Sequence, residues 1–86
     1  MLPDRPKNVI EHTKDFAVFE HEVGNLYELL DEAGPSRIGI FFSGPDARKF
    51  KSMLDSPLNP SETLNKRLRK IFNLARRNID RGHPKL

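Results

Sequence analysis

The chain has 86 residues, of which 36% are apolar and 31% charged, with no Cys and no Trp. That length admits one small domain with a thin core, and the missing cysteines exclude disulfide staples and thiolate metal sites. No run approaches the ~18 apolar residues of a membrane-spanning helix. The opening "MLPDRPKNVIEH" places proline and acids where a signal peptide needs an apolar stretch, so a cytoplasmic protein is expected.

Charge divides the chain in two. Residues 1–35 hold three Lys/Arg against eight Asp/Glu, and residues 36–86 hold twelve against four. A basic half of this kind suits an anionic partner, nucleic acid first, although the two halves can also neutralise each other within one fold.

Residues 1–12, with Pro3 and Pro6 and only Val9 and Ile10 apolar in their second half, read as a flexible arm. Residues 13–35 read as an acidic amphipathic helical segment. Phe16, Phe19, Val23, Leu26, Leu30 and Ala33 recur in steps of three and four, which is one helical stripe. Thr13 suits the N-cap, Asp15 the first turn, and Gly34-Pro35 the stop. Gly24 costs about 1 kcal/mol inside a helix and marks a possible break; "DFAVFEHEV" also fits a short strand before a shorter helix. Residues Phe16, Phe19, Val23, Leu26 and Leu30 are expected in the core or a dimer contact, or as a docking stripe for a second protein.

Arg37 to Ser43 alternates as a strand, with Ile38, Ile40 and Phe42 on one face and Arg37, Gly39 and Phe41 on the other. Ser43-Gly44-Pro45-Asp46 ends it and opens a helix with Pro45 in the first turn. That helix runs to about Asp55, with Phe50, Met53 and Leu54 inward and Arg48, Lys49 and Lys51 outward. Pro57 stops it. The strongest helical pattern follows in "NPSETLNKRLRKIFNLARRNIDRG": Ser61 is the expected cap, Glu62 faces the positive helix end, and Leu64, Leu68, Ile71, Phe72, Ala75 and Ile79 form the apolar stripe. Lys66, Arg69, Lys70, Arg76 and Arg77 fan over the opposite side, and Gly82 and Pro84 close the helix.

The strand "RIGIFF", the helix "PDARKFKSMLDS" and the turn "LNPSETLNKRLRKIF" together resemble the ribbon-helix-helix family of DNA-binding proteins, over about residues 37–75. The resemblance implies a mainly α fold for a basic domain of residues 36–86. One short strand would pair across a homodimer, preceded by the N-terminal amphipathic helix. It implies a ribbon in the major groove of double-stranded DNA, with Arg37, Gly39 and Phe41 facing the bases. Backbone N–H groups at Ser61, Glu62 and Thr63 would hold a phosphate, supported by Lys49, Lys66 and Lys70. Ile38, Ile40, Phe42, Phe50, Leu54, Leu64, Leu68, Ile71 and Phe72 would form the shared core. Departures from the family pattern are Gly39, which offers no side chain, and Phe41, which is large and apolar.

Function is then expected to be that of a homodimeric DNA-binding regulator, such as a repressor, antitoxin or plasmid or phage regulator. The alternatives are a protein-interaction module or inhibitor, and an RNA-binding protein using the Lys66–Arg77 helix. No metal set is expected from His12, His21 and His83, which are far apart in sequence, and no glycine loop carries a phosphate-binding pattern. Neither a cofactor nor an enzymatic activity is expected.

Overall fold

In the computed structural model, which describes residues 7–22 and 25–80, four strands precede two helices. Strands β1 (Lys7–His12), β2 (Phe16–His21), β3 (Leu26–Asp31) and β4 (Gly39–Ser43) form one antiparallel sheet in the order β1-β2-β3-β4. Helices α1 (Pro45–Asp55) and α2 (Leu64–Asp80) follow and cover one face of it. This is an α+β layer arrangement.

The mainly α expectation is therefore corrected, and with it the ribbon-helix-helix arrangement in which a lone strand has its partner only in a second subunit, because β4 pairs with β3 of its own chain. Residues 13–35 are not a helix. They hold the β2–β3 hairpin, with Phe16 opposite Asp31, Val18 opposite Leu29 and Glu20 opposite Tyr27. Val23 and the Gly24 break lie outside the described residues, as do residues 1–6 of the expected arm, while residues 7–12 are strand β1. The expected helix end at Gly82 and Pro84, and His83, also lie outside them.

The physical reason for the misreading is that both sheet faces carry apolar residues. Phe16 and Val18 point to the helices, while Ala17 and Phe19 alternate onto the opposite face, as do Leu26 and Leu30 of β3. Picking Phe16 from one face and Phe19, Leu26 and Leu30 from the other generates a step of three and four by coincidence. Backbone pairing overrode the apparent helical period.

Elsewhere the local signals hold. Helix α1 spans Pro45–Asp55, with Pro45 in its first turn and Gly44 before it at φ 60°, a left-handed conformation in which a side chain is strained. Phe50 is buried, and Leu54 packs against the core. Met53, expected inward, is 40% exposed; the inward position is taken by Ala47. On α2, Leu68, Ile71 and Phe72 are buried, and Leu64 and Ala75 lie against the core. Thr63, rather than Ser61, caps this helix, its hydroxyl accepting from the Lys66 N–H at 3.2 Å.

The core is a layer of aromatic and aliphatic side chains between sheet and helices. Phe16, Val18, Leu29, Phe50, Leu68 and Phe72 are its largest fully buried members, each worth about 1.5–3 kcal/mol in apolar transfer. Phe50 stacks on Phe42 with ring centroids 4.4 Å apart, and Phe16 meets Phe72 at 5.6 Å. A polar tie joins the start of α2 to the β1–β2 turn. Asn65 accepts hydrogen bonds from the Thr13 hydroxyl and the Asp15 N–H, and donates to the Asp15 carboxylate at 2.9 Å.

Candidate nucleic-acid interface

The order of elements turns a sequence asymmetry into a spatial one. The sheet layer, residues 7–43, carries three Lys/Arg against seven Asp/Glu; the helical layer, residues 45–80, carries nine against four. Because all strands precede both helices, the division along the chain becomes a division between layers.

Two groups of cations can be told apart on α2. Arg67 and Arg69 are structural. The Arg67 guanidinium donates to the carbonyls of Met53, Ser56 and Pro57 and to the Glu62 carboxylate at 2.9 Å, tying the end of α1 to the start of α2. Arg69 lies over the Phe16 ring, 4.5 Å from its centroid, and donates to Asp31 at 3.1 Å. The expectation that Arg69 belongs to the outer fan is corrected by this contact.

Lys66, Lys70 and Arg77 form the second group. They are exposed, and no ion pair among the described side chains engages them. Steps of four and seven put them on one face of α2, over roughly 16 Å at 1.5 Å rise per residue. Asn73 lies between them on the same exposed face. Arg48 and Lys49 are exposed on α1, whereas Lys51 is engaged by Asp55 at 2.9 Å, which holds its ammonium above the usual lysine range. Arg77 and Arg48 add to the expected trio Lys49, Lys66 and Lys70; their cue in sequence was position on the polar side of each helix.

The expected phosphate cradle at Ser61, Glu62 and Thr63 is occupied by the protein itself. The Glu62 N–H donates to the Asn59 carbonyl, Thr63 caps the helix, and the Glu62 carboxylate stands at this end bound to Arg67. The Arg67 hydrogen bonds are the main reason that the Glu62 carboxyl sits below the usual carboxylate range. A carboxylate so depressed in the folded state supports folding above its unfolded pKa of about 4.3 and loses that support as pH falls through the lower folded value. Urea midpoints should therefore fall on acidification from about pH 5, and Glu62→Gln should flatten that fall. An unchanged acid slope in the variant would contradict the role given to this pair.

The expected base-reading trio lies apart from the basic face. Arg37 precedes β4 at φ 49° and donates to Glu32 at 3.3 Å. Gly39 lies beneath Glu28, whose Oε2 would stand 2.8 Å from an added Cβ. Phe41 is 58% exposed on the face turned from the helices and meets the His21 ring at 5.7 Å. Ile38, expected inward, is 38% exposed and outside the strand, while Ile40 is buried and Phe42 packs against the core.

Two other arrangements carry less. A cavity of about 320 Å³ is lined by Asn25, Tyr27, Arg48, Lys51, Ser52 and Asp55. Its Lys51–Asp55 pair is internally satisfied, and the Tyr27 hydroxyl, raised in pKa by burial and then by Glu20, donates to Glu20. Among the described residues no group of three or more His, Cys, Asp or Glu side chains could hold a metal ion, and no helix is long and apolar enough to cross a membrane.

No family model matches this chain, and neither a curated protein nor a solved structure was found to match it.

Proposed function

We propose that this protein binds double-stranded DNA through the phosphate backbone, using the exposed face of α2 with help from α1. The observation that carries the reading is the row Lys66, Lys70 and Arg77. These cations stand on a helix whose Arg67 and Arg69 serve the fold, in a layer turned away from the acidic sheet. A span of roughly 16 Å bridges the two backbones that flank a major groove about 12 Å wide. The acidic sheet would repel the duplex and so orient the molecule on it.

Backbone contacts position without reading sequence. Arg37 is held by Glu32 within the acidic layer, so this reading assigns it no base contact.

The test is anisotropy of a labelled duplex across 50–200 mM salt. Three or four neutralised phosphates give a log–log slope of about −3. No binding at 50 mM above that of a neutral control protein would overturn the proposal, as would binding indifferent to salt. Tighter competition by single-stranded RNA than by duplex would transfer the site to RNA.

A further inference from the structure

The two edges of the sheet are built differently. At the β1 edge the strand carries exposed Glu11 and a register shift between Val9 and Glu11, so a bulge breaks the ladder there. Charge and bulge are both devices that stop an edge from accepting another strand. At the other edge, β4 reads Gly-Ile-Phe-Phe-Ser, with no charge, no proline and a regular register against β3 from Gly39 to Ser43.

The backbone direction of that strand follows from one bond. The Asp31 N–H donates to the Ile38 carbonyl at 2.9 Å, so Ile38 turns its polar groups toward β3. Alternation then turns those of Ile40 and Phe42 the same way, and those of Gly39, Phe41 and Ser43 outward. Among the described residues nothing hydrogen-bonds to this outward row. Beside it stands Phe41, 58% exposed.

We infer that β4 pairs antiparallel with β4 of a second copy across a two-fold axis at Phe41, joining two sheets into one continuous sheet. This concerns the free edge of β4; its other edge is paired with β3 in the same chain. Centring on Phe41 sets Phe41 opposite its own counterpart and Gly39 opposite Ser43, and each of these pairs exchanges both hydrogen bonds. The two exposed Phe41 rings meet on one face as a cross-strand aromatic pair.

Charge complementarity selects a second copy over an unrelated strand. Arg37, which precedes β4, is paired with Glu32 at 3.3 Å but leaves 63% of its side chain exposed, and exposed Asp46, which follows β4, has no ion-pair partner among the described side chains. Antiparallel self-pairing brings the Arg37 end of each strand to the Asp46 end of the other, and parallel pairing does not. A two-fold normal to the sheet also leaves both helical layers on one side, so the basic surfaces add.

The experiment is mass by analytical ultracentrifugation without nucleic acid, which keeps it independent of DNA binding. The wild-type chain should sediment as a dimer at tens of micromolar, at about twice the 9.9 kDa chain mass. Phe41→Lys, which opposes two like charges at the axis, should halve the mass with far-UV circular dichroism unchanged. Val9→Lys, at the other edge, should leave the dimer intact. Arg37→Asp should weaken association, and Arg37→Asp with Asp46→Arg should restore it. Hydrogen exchange should show the Phe41 amide protected in the wild type and open in Phe41→Lys. A monomeric wild type overturns the inference, as does a dimer that survives Phe41→Lys or one that Val9→Lys dissociates.

Discussion

Reversing two charges on α2, Lys66→Glu with Lys70→Glu, is expected to weaken duplex binding by on the order of 10²-fold at 0.1 M salt. Each lost phosphate contact removes about 0.9 from the log–log salt slope, so two contacts at 0.1 M remove nearly two decades of affinity. The slope itself should become shallower by about 2. Folding should be indifferent to the change, because both side chains are exposed and outside every ion pair among the described side chains. Exposed substitutions of this kind usually stay within about ±0.5 kcal/mol. Lys14→Glu, an exposed change of the same charge in the sheet layer, is the control and should leave binding nearly unaltered. Equal loss from Lys14→Glu and from the α2 pair would show that only net charge matters, and the assigned face would be wrong.

Phe50→Ala is expected to cost about 3–5 kcal/mol, the range for removing a fully buried phenylalanine. Phe50 is completely buried and stacks face to face on Phe42, with Tyr27 at 5.9 Å on another side. Truncation would leave a void between α1 and the β3–β4 strands, and close-packed neighbours refill such a space only in part. For a domain of this length each kcal/mol moves the midpoint by roughly 4–8 °C, so thermal unfolding should begin at least ~12 °C lower. Phe41→Ala, nine positions earlier, should change the stability of the single chain by under ~1 kcal/mol, because that ring is largely exposed. A loss from Phe41→Ala as large as that from Phe50→Ala would mean that the inner and outer faces of β4 had been exchanged, since one residue of register moves every side chain to the opposite face.

Those two results address opposite sides of the helical layer, and the layer was the part most legible in advance. Pro45 after a left-handed Gly44, the stripe of Leu64, Leu68, Ile71 and Phe72, and the run of cations between them are local features. Capping and helical period act within a few residues, so spacing alone revealed them. The edge strand was legible for the same reason, because Ile40 and Phe42 alternate with Gly39 and Phe41.

Strands β1 to β3 were not legible, because their stabilising contacts are not local. Ala17 is buried on the face turned from the helices, beside Leu30 of the next strand, and no helical or alternating template scores that placement. Val18 becomes core because it stands opposite Leu29, which in turn stands opposite Ile40. Such registers are set by partners many residues away.

By itself, then, the sequence determined a thin-cored chain with two amphipathic helices and a basic second half. Helical period, turn chemistry and charge count all act at short range. Only the tertiary structure decided that the acidic first half is a sheet, that β4 has one satisfied edge and one left open by the described residues, and that Arg67 and Arg69 are committed to the fold. Arg67 and Arg69 look no different from Lys66 and Lys70 in sequence. They differ because chain closure brings three carbonyls, Glu62, Asp31 and the Phe16 ring within their reach.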